Sequence, residues 1–471
     1  MIPLYPKSWQ RAAILATIAA IGAVGLCAWP YTVDDAFIVA RYAWRLAHGQ
    51  GYTFNPGPPT DGVTGPLWLA PGWLASLAQR DPVWAAKIVG LCCTAISGAA
   101  LVGRLARRAR GTSYACAAAL LLSCQPTLGA WGVAGLETGT ATLAVTVAWL
   151  ALTARPRPRL KSLAAALAVL PWLRPELTIV ACAFAITGGV RSVAALGASL
   201  AALASFRGAL FDSLLPLAYH AKQASLAHGA DYALRGVLIV LGVAGVPLAV
   251  RAARSGRRDD RLLGWVLAAH LGAVVLAGGD WMPGFRLFAP LLPLALGSCA
   301  VGALRPSRSF PRVRVALLVA TALVLAIDLG TRIPAWRQAG ASREGPGRAL
   351  AERLRSSAQR VALVDVGFLV YASGVEAVDL GGITDPAIAA LPGAHLDKRI
   401  PETWLTQRNP DALILHSAHP PLVAADARLL ALSGYPVEQR VANSAWVRTQ
   451  FKVATTVAYA PHYYYVLMLR R

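Results

Sequence analysis

Charge is what this 471-residue chain has least of: 14% of its residues are Asp, Glu, Lys or Arg, against roughly 25% in a soluble domain. Acids are the scarcer sign, 23 against 45 bases. A chain of this length folding in water would divide into two or three domains, each with a polar surface, and the composition does not supply those surfaces. Several signatures of chemistry are also missing. There is no Walker loop, no dinucleotide fingerprint, no His-x-x-x-His pair and no nucleophile elbow, which argues against a nucleotide-driven pump. The seven cysteines (27, 92, 93, 116, 124, 182 and 299) all fall in or beside apolar runs. They read as small buried hydrophobes rather than disulfides or metal ligands.

What the chain does have is apolar sequence, 56% of its residues, gathered into long runs between short Arg-rich stretches. A bilayer crossing needs about 20 apolar residues, so the pattern is that of a polytopic membrane protein. The net charge of +22 would suit nucleic acid if it lay in one stripe among aromatics. It lies instead at the ends of apolar runs, which excludes that partner. The first run, Ala12 to Trp29, has no small-x-small cleavage site, and Leu26 stands before Cys27 where a lipoprotein signal needs a small residue. It is read as a retained helix. Ten more runs follow, at about 84–103, 113–130, 138–154, 162–173, 177–190, 192–206, 236–250, 262–278, 287–304 and 313–331.

With the N-terminus in the cytoplasm, alternation gives the cytoplasmic segments 20 bases, beginning with Lys7 and Arg11 and including Arg110 and Arg308, against two acids, Asp259 and Asp260. The opposite side holds nine of each up to residue 328. That asymmetry is what the positive-inside rule requires, and an odd number of crossings puts the tail outside. Composition changes near Gly340. Arg348 to Gln359 has the spacing of an amphipathic helix, and Val361–Val366, Asp411–His416 and Tyr463–Leu469 have the character of strands. The reading is a transmembrane body over 1–335, with a long first extracytoplasmic loop at 31–82, and a small extracytoplasmic α/β domain over 340–471.

The outer polar clusters all face one compartment. Asp34, Asp35, Arg41, Asp61, Glu137, Arg174, Glu176, Asp212, Lys222, Asp280 and Arg286 are expected to converge on one site at the membrane surface, because ionisable residues at membrane level are costly unless paired or functional. Adjacent carboxylates such as Asp34 and Asp35 can divide labour between general base and hydrogen-bond anchor. Asp34 would equally serve as the cap of the helix that follows, and the residues alone favour neither role. Arg174 between Pro-flanked helices would hold a phosphate or merely bridge to Glu176. Lys222 would bind phosphate or snorkel. A carrier of lipid-linked sugars would instead place ionisable groups at mid-helix depth, where His270 is the one candidate. A non-catalytic envelope-assembly subunit would tolerate change at Asp34.

Asp34-Asp35-Ala-Phe-Ile, Arg41-Tyr42-Ala43, Gly49-Gln-Gly51, Phe54-Asn55-Pro56-Gly57 and Gly62-x-Thr64 resemble the first loop of the GT-C glycosyltransferases, most nearly the branch of the mycobacterial terminal arabinofuranosyltransferase. Gly135-Leu136-Glu137-Thr138, Arg174-Pro175-Glu176, Gly279-Asp280-Trp281-Met282-Pro283-Gly284-Phe285-Arg286, Asp365-x-Gly367, Asp379-x-Gly381 and Thr384-Asp385-Pro386 follow in that branch's order. Leu217, Ala218, His220 and Gly65 depart from its usual residues, at positions that bear on sugar and acceptor. The resemblance implies sugar transfer in a bacterial plasma membrane, with a pentofuranose as one candidate sugar. The donor would be polyprenyl-phosphate-linked and the acceptor a cell-envelope glycan or lipid. Asp34, or else Asp35, would act as base with inversion. Arg174, Arg286 and Lys222 would hold the departing phosphate. Arg41, Asp61, Thr64, Glu137, Glu176, His220, Asp280 and Trp281 would line the site. No cofactor is certain, and a divalent cation beside the acids stays an open alternative, since some relatives use one.

Overall fold

The computed structural model describes residues 8–108, 111–222, 224–254, 257–305 and 310–471; Lys7, Arg110 and Arg308 lie outside them. The first helix is α1 (Ser8–Cys27), followed by two helices of the first loop, α2 (Asp34–Ala47) and α3 (Leu69–Leu77). The body continues with α4 (Pro82–Ala106), α5 (Gly111–Ser123), α6 (Pro126–Val133), α7 (Thr138–Leu152), α8 (Leu160–Leu173), α9 (Thr178–Gly188) and α10 (Val190–Phe211). After the short α11 (Leu217–Ala221) come α12 (Leu226–Val240), α13 (Gly245–Ala253), α14 (Arg258–Leu276), α15 (Leu292–Leu304) and α16 (Pro311–Ser342).

Helix forms at each of the eleven expected runs, and the boundaries have local causes. Asp81 starts α4 by accepting from Val83 N at 2.7 Å and Trp84 N at 3.2 Å, with Pro82 at the first helical position. Pro126 ends α5 and starts α6, so that run bends by 60°. The 236–250 run is likewise two helices, α12 and α13, bent by 98°. Among the described residues five helices are long and apolar enough to cross a membrane unaided, and seven if each bent pair is one span. The helices α7, α8 and α9 are shorter, and α14 opens on the charged run Arg258 to Arg261. Along α15 nearly every side chain is buried, whereas α1, α10 and α16 turn Leu15, Leu26, Val193, Leu323 and Ile327 outward. An apolar outer surface is the expected face toward lipid.

The two ends of the bundle differ. At one end Asp259 pairs with Arg155 at 3.0 Å and Asp260 with Arg108 at 2.9 Å, tying the start of α14 to the ends of α4 and α7. The other end carries α2 and the C-terminal domain. That domain follows α16 through α17 (Arg348–Ser357) and is built on strands β1 (Arg360–Leu363), β2 (Glu376–Asp379) and β3 (Ala412–Ser417), a short pair β4 (Leu422–Val423) and β5 (Leu429–Ala431), then β6 (Phe451–Ala460) and β7 (Tyr463–Arg470). The main sheet has the order β2-β1-β3-β7-β6. The β1 pairings are parallel and those of β7 antiparallel, with Ile414 opposite Leu467. Strand β1 stops three residues short of expectation, because Val366 N closes a turn on Val364 O at 3.0 Å. That turn lifts Asp365 and Gly367 out of the sheet.

The domain rests on α2. One continuous apolar core joins Phe37, Ile38 and Tyr42 of α2 to Leu354, Val361, Leu363, Phe368, Ile414 and Leu467. Phe37 meets Phe368 edge-on at 5.1 Å. Asn55 completes the contact, donating to Ala377 O at 2.7 Å and accepting from Ala377 N at 3.1 Å on the edge strand β2.

Candidate active site

The acidic pair divides at α2. Val33, not an acid, occupies the cap position, and no side chain caps this helix. Asp34 caps a different helix, α18 (Phe368–Ser373) of the C-terminal domain: Oδ2 accepts from Gly367 N and Oδ1 from Phe368 N, both at 2.8 Å. Glycine is required there, since a Cβ at Gly367 would overlap the Asp34 carboxylate. Burial, and then the charge of Asp365, push the Asp34 carboxyl up to about 7, against the opposing pull of those two N–H groups. Asp365 is held in turn by the hydroxyls of Tyr463 and Tyr465. Asp35, one residue on, points elsewhere and accepts no hydrogen bond among the described residues. Its charge faces Tyr31, Arg286 and His395.

Below it lies a cluster of charges at this end of the bundle. Arg174 ends α8 and is almost fully buried; its guanidinium meets Glu176 at 2.6 Å and Glu137, at the start of α7, at 3.4 Å, and donates to Thr138 Oγ1 at 3.2 Å. Arg286 forms an ion pair with Asp280 and lies over the ring of Trp131, 5.8 Å from its centroid. The Arg286 charge also faces Asp35, Glu137 and Glu176. The structure therefore brings Asp35, Glu137, Arg174, Glu176, Asp280 and Arg286 together, four acids with two bases. Tyr31 packs edge-on against Trp131 at 5.9 Å, and burial pushes its hydroxyl well above the ordinary tyrosine range. From the C-terminal domain His395 reaches in, its Nδ1 2.9 Å from Gly381 O. Burial holds its imidazole below the usual range, while the charges of Asp379, Lys222 and Asp35 also act on it. Lys222 pairs with no carboxylate among the described residues.

Other residues expected here do different work. Arg41 is buried on another face of α2 and donates to Phe54 O at 2.8 Å, Val370 O at 3.0 Å and Val375 O at 2.9 Å. It straps α2 to the C-terminal domain. Asp61 is buried against Arg207 of α10 at 2.9 Å, and Arg207 also donates to Thr64 O at 2.8 Å, so Asp61 and Thr64 shape the first loop. Gly65 closes that loop on the end of α8, where a Cβ would overlap Leu173 O. The Trp281 side chain is exposed, and His220 is exposed with Ser213 Oγ at 3.4 Å. In the tail, Asp379 gathers Gly381 N, Gly382 N, Thr384 N and Thr384 Oγ1 at 2.7–2.9 Å, the clamp that presents Gly381 to His395. His270 is buried within α14, with Nε2 2.7 Å from Leu287 O.

Sequence reasoning passed over Arg207, Tyr31, Trp131 and His395. Arg207 carried a signal, a lone base at the end of an apolar run; His395 carried none. Among the described residues no group of three or more His, Cys, Asp or Glu side chains is placed to hold a metal ion.

A family model described as a domain of unknown function (DUF8728) matches residues 335–467. No curated protein matches the chain. Two crystal structures of ArnT from Cupriavidus metallidurans are similar to it. The one bound to undecaprenyl phosphate has a TM-score of 0.61 at 12% identity, covering 97% of this chain and 97% of that one. The apo form has a TM-score of 0.57 at 13% identity, covering 97% and 98%. The chain thus has the fold of ArnT, a bundle of apolar helices, five to seven of them among the described residues long enough to cross a membrane, carrying a small C-terminal sheet domain.

Proposed function

We propose that the protein is a membrane glycosyltransferase of the GT-C type, moving a sugar from a polyprenyl-phosphate donor to a cell-envelope glycan or lipid. The observation that carries the reading is Asp35, a half-buried carboxylate that accepts no hydrogen bond among the described residues and faces Arg286 beside the buried charge cluster. The donor class is supported by the fold shared with ArnT, which was crystallised with undecaprenyl phosphate. Asp35 takes the proton of the acceptor hydroxyl. That oxygen attacks the anomeric carbon, the bond from this carbon to the phosphate oxygen breaks, and polyprenyl phosphate leaves with inversion of the sugar.

Asp34 acts beside it as the anchor that holds α18 over the site. Of the three bases assigned to the departing phosphate, Arg174 and Arg286 already answer Glu137, Glu176 and Asp280. Lys222 pairs with no carboxylate among the described residues and takes the main share, followed by Arg286, whose charge faces Asp35. The first-loop and tail motifs that resemble the arabinofuranosyltransferase branch favour a pentofuranose. The charge asymmetry favours an N-terminus in the cytoplasm of a bacterial cell, with residues 1–335 as the catalytic membrane body and 340–471 outside.

The test is protein reconstituted in nanodiscs with a panel of polyprenyl-phosphate-linked pentoses and hexoses and an envelope glycan extract. The reading expects one donor class to release polyprenyl phosphate and to give a product of inverted anomeric configuration. Release from none of them, or retention of configuration, would sink it.

A further inference from the structure

A cavity lies on the other side of α2 from the charge cluster. It is a half-open cavity of about 880 Å³ between the ends of α1, α4 and α16, the Arg41 face of α2, and α17 and α18. None of the residues assigned to sugar transfer lines it. Its walls carry six bases, Arg41, Arg45, Lys87, Arg343, Arg348 and Arg355, against two acids, Asp81 and Glu344. The acids are already engaged: Asp81 caps α4, and Glu344 pairs with Arg348 at 2.6 Å and Arg343 at 3.2 Å.

The remaining four bases meet only neutral acceptors. Arg41 donates to three backbone carbonyls. Arg45 donates to Thr53 Oγ1 at 2.9 Å. Lys87 Nζ donates to Trp29 O at 2.6 Å, Thr32 Oγ1 at 2.7 Å and Tyr31 O at 3.2 Å. Arg355 donates to Ser373 O and Ala372 O. Neutral acceptors fix the position of these cations, while the charge of Glu376 reaches Arg41 and Arg45 and those of Asp81 and Glu344 reach Lys87. Six bases against two acids leave an excess of positive charge around one half-open volume, which a bound anion would offset.

The rim indicates where that anion comes from. Trp29 and Trp84 meet edge-on at 5.1 Å at the ends of α1 and α4, and Trp84 and Trp44 are exposed. Tryptophans at the ends of spanning helices sit at the headgroup level, and basic pockets between such helices take anionic headgroups. The volume exceeds a single phosphate ion and falls in the range of small-ligand sites.

We propose that this cavity is a binding site for a phosphate-bearing ligand, supplied as a lipid headgroup from the surrounding leaflet, with Arg45, Lys87 and Arg355 as its main contacts. The assignment stands apart from sugar transfer, since it uses none of the groups assigned to that reaction. It is tested by native mass spectrometry of the full chain in detergent, titrated with phosphatidylglycerol and, separately, with inorganic pyrophosphate.

The native protein is expected to hold one phosphatidylglycerol tightly. Arg45→Gln with Arg355→Gln is expected to weaken it roughly thirtyfold, and Arg235→Gln, which removes an exposed arginine on α12, to leave it unchanged. Pyrophosphate binding with the same loss in the double variant, and competition with the lipid, would keep the site and move its source to a soluble phosphate. The Arg45→Lys, Arg355→Lys pair is expected to restore most of the binding. Equal loss in Arg235→Gln, no loss in the double variant, or no recovery with lysines would overturn the proposal.

Discussion

Replacing Asp34 by alanine separates anchoring from chemistry. The carboxylate accepts two N–H groups at 2.8 Å from the first turn of α18, in an interface where Phe37 and Phe368 pack together. Alanine leaves both donors without a partner and out of water. Each such orphan costs about 1–3 kcal/mol; at pH 5 the Asp34 carboxyl, raised to about 7, is protonated, so no charge is lost from the N-terminus of the six-residue helix. Opening of the α18 segment should therefore become easier by roughly 2–6 kcal/mol, an increase in amide exchange of about thirtyfold to more than ten-thousandfold. The measurement is hydrogen exchange at pH 5, followed by mass spectrometry of peptides covering residues 364–376, with peptides of β3 and β7 as the internal reference. The account expects the change in α18, with much smaller effects in the sheet. Unchanged exchange in α18 together with a collapse of turnover would refute the reasoning and return Asp34 to the role of base.

Other expectations follow from the same geometry. Burial and Asp365 raise the Asp34 carboxyl from its ordinary 3.8 to about 7, so the stability it contributes is complete below the unfolded value and lost as pH rises through 7. Protection of α18 should fall by roughly 3 kcal/mol between pH 5 and pH 8, and Asp34→Asn should flatten that dependence; a protection that rises with pH would contradict it. Glu438, pushed up to about 8 by burial, acts in the same direction. Asp61→Asn breaks a buried pair with Arg207 and should destabilise the protein by about 3–5 kcal/mol, read as a fall in thermal midpoint in detergent with loss of first-loop protection. Lys222→Ala should slow release of polyprenyl phosphate about tenfold to a hundredfold, in keeping with one charge-assisted contact of ~1.5–3 kcal/mol, while thermal stability stays put; an unaltered rate would remove Lys222 from the site.

The membrane architecture was legible because it rests on composition over long windows: each of the eleven apolar runs became helix, and the strands at Val361, Asp411 and Tyr463 came from β-branched and aromatic runs. What eluded sequence reading depends on contacts distant in the chain. Strand β2 is four residues long and β6 only partly apolar, and both exist through their partners in the sheet. Asp34 and Asp35 were recognisable as a pair, yet their division was not, because the helix Asp34 caps begins 334 residues later. Arg41 and Asp61 were natural site candidates by charge and position. The three carbonyls that hold Arg41 and the Arg207 that holds Asp61 come from elements that only the fold brings near.

Asp35 as the base is tested by single turnover of Asp35→Asn with the accepted donor. Loss of general-base catalysis is worth about a hundredfold to ten-thousandfold. The account predicts a fall of that size in the rate of polyprenyl phosphate release, with donor affinity and the exchange protection of α18 unchanged. A variant that turns over at the native rate would contradict it.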